Sequence, residues 1–221
     1  MSIFNFNKRN KVEILPETEF LPIKKADLLP TIYTNRRLVF GNPGTGKSTF
    51  YRNPIAAAYL GRVILITSSN NLHCESVISK QFQHYKPDEL ELLNEFEKIV
   101  VIIDISLSED THEQYLEKVK SFINRQPKDV LIIIDEAMAV FGKHLTDFIS
   151  CAPENCIVIL QSIYQLPEFF IKKKEMTLEI LKINQWNIIS LEGGPFSPEW
   201  NNGIEDALNA MGIPYQRFRM R

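Results

Sequence analysis

Cysteine is scarce in this 221-residue chain and shows no sign of pairing: Cys74, Cys151 and Cys156 are odd in number and lack any C-x-x-C spacing. Neither a disulfide framework nor a zinc site is expected, and the setting that fits is reducing and intracellular. Long hydrophobic runs are missing too. VLIII at 130–134 and IVVII at 99–103 reach five residues, whereas a bilayer-crossing helix needs about 20, so neither a membrane-spanning segment nor an export signal is expected. Charge of one sign is also lacking, with 25 basic against 27 acidic side chains and a net charge of -2. That balance excludes a globally basic nucleic-acid binder. Contact with a phosphate backbone would have to come from a local patch or from several subunits pooling their charge. There is no internal repeat or low-complexity tract, and the charge run of note is Lys172, Lys173 and Lys174.

What is present is the composition of a soluble folded protein, 44% hydrophobic and 24% charged, at a length that suits one domain. Six short, β-branched runs recur: RRLVF (36–40), RVILIT (62–67), KIVVIID (98–104), DVLIIID (129–135), CIVIL (156–160) and NIISL (187–191). Their nearly unbroken hydrophobicity predicts strands buried on both faces of a parallel sheet. Between them lie segments with helical spacing. Pro87 is placed to start a helix with Leu90, Leu93 and Phe96 on one face, and a second carries Tyr115, Val119, Phe122 and Ile123 behind a capping box of Thr111 and Gln114. The alternation predicts a three-layer α/β fold around a mostly parallel central sheet. Residues 1–35, without a clear period and interrupted by Pro16, Pro22 and Pro30, read as an N-terminal arm; 36–221 form the domain. In such sheets ligands bind beyond the carboxyl ends of the strands, so the residues that close each run carry the functional information.

The first run is followed at once by Gly41, Asn42, Pro43, Gly44, Thr45, Gly46, Lys47 and Ser48, with Thr49 next. This matches G-x-x-x-x-G-K-[ST] between a strand and a helix, the context in which the pattern has a mechanism. Glycines allow a tight turn that aims successive N–H groups at an anion, and the following helix adds its positive end. Lys47 reaches the β- and γ-phosphates and Ser48 holds Mg2+. The strand DVLIIID ends in Asp135, and Glu136 follows it. Asp135 is placed to orient the metal through its water shell, and Glu136 to polarise a water for in-line attack. The next strand ends in Gln161, whose amide can donate to a γ-phosphate oxygen and accept from the attacking water. The expected cofactors are therefore ATP and Mg2+, and the expected reaction is hydrolysis of the nucleotide.

With these motifs in hand, the chain resembles the FtsK/HerA superfamily of DNA-translocating P-loop ATPases, in which a strand-end glutamine follows an Asp-Glu pair. Pro54, seven residues after Lys47, and QSIYQL at 161–166 are similar to features of its conjugative coupling proteins. Those proteins usually carry membrane segments and an all-helical insertion for which this chain has no room, and its compactness is more similar to the small genome-packaging ATPases of viruses with internal membranes. The loop, with Pro43 and Thr45, is also similar to those of AAA+ proteins. The resemblance covers residues 36–192 and implies a P-loop NTPase fold of the RecA-like ASCE type. It further implies a homohexameric ring around double-stranded DNA, located in the cytoplasm or on a virion at a packaging vertex, and docked on a capsid or membrane pore component. A ring of this kind places an arginine finger in the neighbour's site, for which Arg36, Arg125, Arg217 and Arg219 are candidates and Arg36 the one chosen. Lys172, Lys173, Lys174, Arg217, Arg219 and Arg221 are candidates for contact with the DNA backbone. Genome packaging is the leading expectation. Conjugative DNA transfer is the alternative, followed by a nucleoside or small-molecule kinase and a non-catalytic nucleotide switch.

Overall fold

A computed structural model describes residues 12–13, 36–41, 44–69, 82–93, 98–161, 174–192, 208–210, 212–213 and 215–220. Nine strands form one sheet: β1 (Val12–Glu13), β2 (Arg37–Gly41), β3 (Val63–Ser68), β4 (Gln83–Tyr85), β5 (Lys98–Ile103), β6 (Leu131–Ile134), β7 (Cys156–Leu160), β8 (Asn187–Glu192) and β9 (Tyr215–Met220). Their order is β1-β9-β8-β2-β7-β6-β3-β5-β4. All pairings are parallel except that of the two-residue β1, which runs antiparallel to β9. The six expected strands are all present, shifted by no more than about two residues at their ends. Three more appear at the sheet's margins. β4 is polar and exposed, β9 reads YQRFRM, and β1 lies within the arm.

Side chains alternate between two cores, which is the period of a strand covered on both faces. Leu38, Phe40, Ile64, Ile66, Ile132 and Val158 enter one; Val39, Leu65, Ile133 and Ile159 enter the other. The second core is covered by α1 (Asn53–Ala58), which continues directly from a π-wound stretch, Lys47–Arg52. The first is covered by α2 (Glu109–Asn124), α3 (Ala137–Phe141), α4 (Leu145–Cys151) and α5 (Lys174–Ile183). Here Phe141 and Phe148 stack with ring centroids 4.4 Å apart, and the fully buried Trp186 donates to the Ile149 carbonyl at 3.2 Å.

Three helical expectations are corrected. α2 is capped by Ser108, whose hydroxyl accepts from the Thr111 amide at 3.4 Å, so the cap lies three residues before the expected one. Leu116, not Tyr115, completes its buried face; the Tyr115 hydroxyl points out and donates to Asp88 at 2.7 Å. The helix at Pro87 does start there, but as a tighter 3-10 turn over Pro87–Leu92. Leu90 and Leu93 are buried as expected, and Phe96 lies outside the described residues. At Pro54 the helix neither stops nor stays regular. It changes winding and runs on to Ala58.

Along the rim where the strands begin, basic side chains close helix ends. Arg36 donates to the carbonyls of Ala152 and Asn184, both at 2.7 Å, beyond the last turns of α4 and α5. Lys98 donates to Ala56 and Ala57 at the end of α1, and Arg62 to Leu93 after the 3-10 turn. These are the carbonyls that a helix leaves without internal partners, at its negative end.

Candidate active site

The loop after β2 is built by its glycines. Gly44 and Gly46 have φ of +85° and +82°, a region that other residues enter only at a cost. A Cβ on Gly41 would lie 2.4 Å from the Thr45 hydroxyl oxygen and 3.1 Å from Leu191, so the first glycine is required by close packing within the turn. Thr45 is buried, Gly44 exposed. Lys47 sits on the first turn of the helix and its ammonium donates to the Gly41 carbonyl, which folds the lysine over the loop. Burial holds the Lys47 pKa below the usual lysine range, opposed by the carboxylates of Asp135 and Glu136. The lysine and both acids therefore share one electrostatic environment. Ser48 and Thr49 follow on the same helix, with Ser48 partly buried; Asn42 and Pro43 lie outside the described residues.

The sheet order puts the acids opposite this loop. β7 separates β2 from β6, so the acidic strand is next but one to the loop strand. The backbone amide of Asp135 donates to Ile66 at 2.8 Å, which continues the β6–β3 ladder by one residue. Asp135 is 2% exposed. Its Oδ1 accepts from the Glu136 amide at 3.0 Å and its Oδ2 from the guanidinium of Arg52. Glu136 then turns the chain into α3 with φ 50° and ψ 44°. A left-handed conformation costs a non-glycine residue about 1–3 kcal/mol and persists where its surroundings over-determine it. Here the Glu136 carbonyl accepts from Ala139 at 2.8 Å and Val140 at 3.1 Å, and its carboxylate accepts from the hydroxyl of Ser68, the last residue of β3. Gln161 follows β7 directly. Leu160 is paired with Phe40, so Gln161 stands abreast of Gly41, exposed at the mouth of the loop.

A glycine-rich loop on one strand, an acidic pair two strands away and an amide on the strand between them give the arrangement of a P-loop α/β fold. No family model matches the chain, and no curated protein matches it. Among solved structures it is similar to the genome packaging NTPase B204 from Sulfolobus turreted icosahedral virus 2 in complex with ATP-gammaS. The identity is 16% and the TM-score 0.38, over 69% of this chain and 82% of that one.

The donor set suits Mg2+, which keeps several waters and takes few protein ligands. Ser48 offers a hydroxyl on the loop's helix. Asp135, which bonds Arg52 and the Glu136 amide, offers the carboxylate that would hold a metal-bound water. Among the described residues no cluster of three or more His, Cys, Asp or Glu forms a separate metal cage. No helix among them is long and apolar enough to cross a membrane.

Other sequence candidates lie elsewhere. Arg36 precedes β2, at the opposite end of that strand from the loop, and its guanidinium is held by two carbonyls. Arg125 caps α2 and donates to Ser121 at 3.2 Å. Arg217 and Arg219 fall on β9 beside β8, and Lys174 begins α5. Lys172, Lys173 and Arg221 lie outside the described residues. Two residues that the sequence reading passed over belong to the site: Ser68, which holds Glu136, and Arg52, which holds Asp135. The only sequence signal for Ser68 is that a polar residue ends an apolar run at the functional rim.

Proposed function

We propose that the chain is an ATP-hydrolysing motor that moves double-stranded DNA, with the packaging of a viral genome into a capsid as its task. The observation that carries the hydrolytic part is Glu136: half-buried, fixed in a left-handed turn, and tied by Ser68 beside the loop of Lys47. A carboxylate so held is suited to take the proton of a water attacking the γ-phosphate. Lys47 and the loop amides bind the phosphates. Ser48 and, through a water, Asp135 hold Mg2+, which when bound neutralises phosphate charge. Gln161, at the mouth of the loop, donates to the γ-phosphate and accepts from the attacking water, and so passes the state of the nucleotide to the chain beyond it.

The DNA-moving part rests on the resemblance carried by Pro54 and QSIYQL. In that reading six copies surround the duplex, each adding a few cations, among Lys172, Lys173, Lys174, Arg217 and Arg219, to a channel that binds the backbone without reading sequence. A capsid component, or a membrane pore in the conjugative alternative, is the docking partner, and the site of action is a packaging vertex or the cytoplasm. An arginine offered in trans completes the neighbour's site. Arg36 can fill that role only by releasing the carbonyls of Ala152 and Asn184.

The test is phosphate release from ATP with and without duplex DNA, alongside mass in solution. Hydrolysis stimulated by DNA and a hexameric mass are expected, with Glu136→Gln binding ATP but hydrolysing it at least about a hundredfold more slowly. A monomer indifferent to DNA that transfers phosphate to a nucleoside would establish the kinase instead.

A further inference from the structure

Arg52 stands five residues beyond Lys47. In an α-helix residues so spaced lie roughly 140° apart around the axis, and Arg52 would face away from the lysine. The stretch Lys47–Arg52 is π-wound instead, and closure from i to i+5 stacks each residue nearly over the one five before it. The sequence supplies a cause. Pro54 has no N–H to donate, and in regular α-winding its ring would press on the carbonyl of Phe50, four residues back. A wider turn precedes Asn53–Ala58. It swings Arg52 under the loop, where its guanidinium meets Asp135 with both side chains only 3% exposed.

We propose that Arg52 is a built-in cation that competes with the nucleotide's divalent metal for Asp135, and thereby sets how strongly nucleotide binding depends on magnesium. The inference rests on reading the loop as a nucleotide site. A guanidinium is permanently charged and weakly hydrated, which suits it to hold a buried carboxylate. With Oδ2 on Arg52 and Oδ1 on the Glu136 amide, Asp135 takes up a metal-bound water only against the positive charge beside it. Arg52 rides on the helix that carries Lys47 and Ser48. Any loosening of its bond to Asp135 is therefore felt by the phosphate-binding residues.

The experiment measures the affinity of the full chain for a fluorescent, non-hydrolysable ATP analogue in EDTA and in magnesium, and takes the ratio. Arg52→Gln is expected to raise the benefit of magnesium about tenfold, within the range of ordinary coupling between sites. In an Asp135→Asn background the same substitution should leave the ratio unchanged. An unchanged ratio in Arg52→Gln would overturn the proposal. So would an equal rise in both backgrounds, since Arg52 would then merely attract phosphate. Should Arg52→Gln fail to fold because it strands a buried carboxylate, Arg52→Lys replaces it. Lysine keeps the charge without the planar fork, and a rise of about threefold is expected; no rise again overturns the idea. Nucleotide binding by the wild type that Lys47→Ala abolishes supports the site itself, whatever Arg52 does. Absence of binding in both buffers removes the site and the inference together.

Discussion

Ser68→Ala removes one hydroxyl from a fully buried position and leaves Lys47, Ser48, Asp135 and Gln161 unchanged. A sheltered hydrogen bond to a charged group contributes about 1.5–3 kcal/mol. Glu136 is partly exposed, so water recovers part of that, and about 1–2 kcal/mol is left for aiming the carboxylate. If that aim is needed in the transition state, kcat falls about 5- to 30-fold. Folding stability should fall by a similar amount, about 1–2 kcal/mol, because the same bond is lost from the folded state. The assay is steady-state phosphate release at saturating ATP, with nucleotide affinity and thermal unfolding measured beside it. Ser68→Thr keeps a hydroxyl and should recover turnover, with some loss of stability from the added methyl. A kcat that is unchanged in Ser68→Ala, or that falls only in step with nucleotide affinity, would refute the positioning role.

Gly41→Ala should weaken nucleotide binding at least about tenfold and cost about 1–3 kcal/mol of stability through overpacking, because its Cβ would meet the Thr45 hydroxyl at 2.4 Å. Adding Thr45→Ala should recover part of the stability; nucleotide affinity like that of wild type in Gly41→Ala would show the turn to be looser than described. For Gln161→Ala, nucleotide affinity should hold while stimulation of hydrolysis by duplex DNA disappears, and full stimulation would end its role as a relay. Arg36→Met loses two bonds to helix-end carbonyls, with an expected cost of about 2–3 kcal/mol and a Tm lower by about 4–10 °C for a chain of this size. An unchanged Tm with lost stimulation would instead return Arg36 to the neighbour's active site. Cys156 is buried and its thiol pKa is pushed well above the usual range by desolvation, so alkylation of the native protein should label the exposed Cys151 and spare Cys156 at neutral and mildly alkaline pH. Comparable labelling of both by peptide mass spectrometry would contradict the packing of β7.

The central strands were legible because burial on both faces demands runs such as VLIII and CIVIL, and few other structures use them. The marginal strands were not. QHY is mostly exposed, where a strand needs no apolar pattern, and YQRFRM carries so many polar and basic residues that it passes for a charged tail. That Lys47, Asp135, Glu136 and Gln161 would lie along one rim was legible because a strand's end fixes where its next residues lie. The place of Arg52 was not. Its partner is 83 residues away, and regular helix geometry points it in the wrong direction until the effect of Pro54 on winding is included. Ser68 was missed for a smaller reason: β3 extends one residue further than the apolar run implies, and that residue is the one that reaches Glu136. At α2, Ser108 and Thr111 are both competent caps, and nothing in the local sequence decides between them.

Arg36, Arg62 and Lys98 each clasp a helix terminus at the end of the sheet away from the glycine-rich loop. Recruiting them to grip a polyanion would fray the very helices that cover the cores. If the chain is to hold a polyanion, the positive charge for it has to come from other places on the surface, because the cations on this side of the sheet are already committed to its own helix ends.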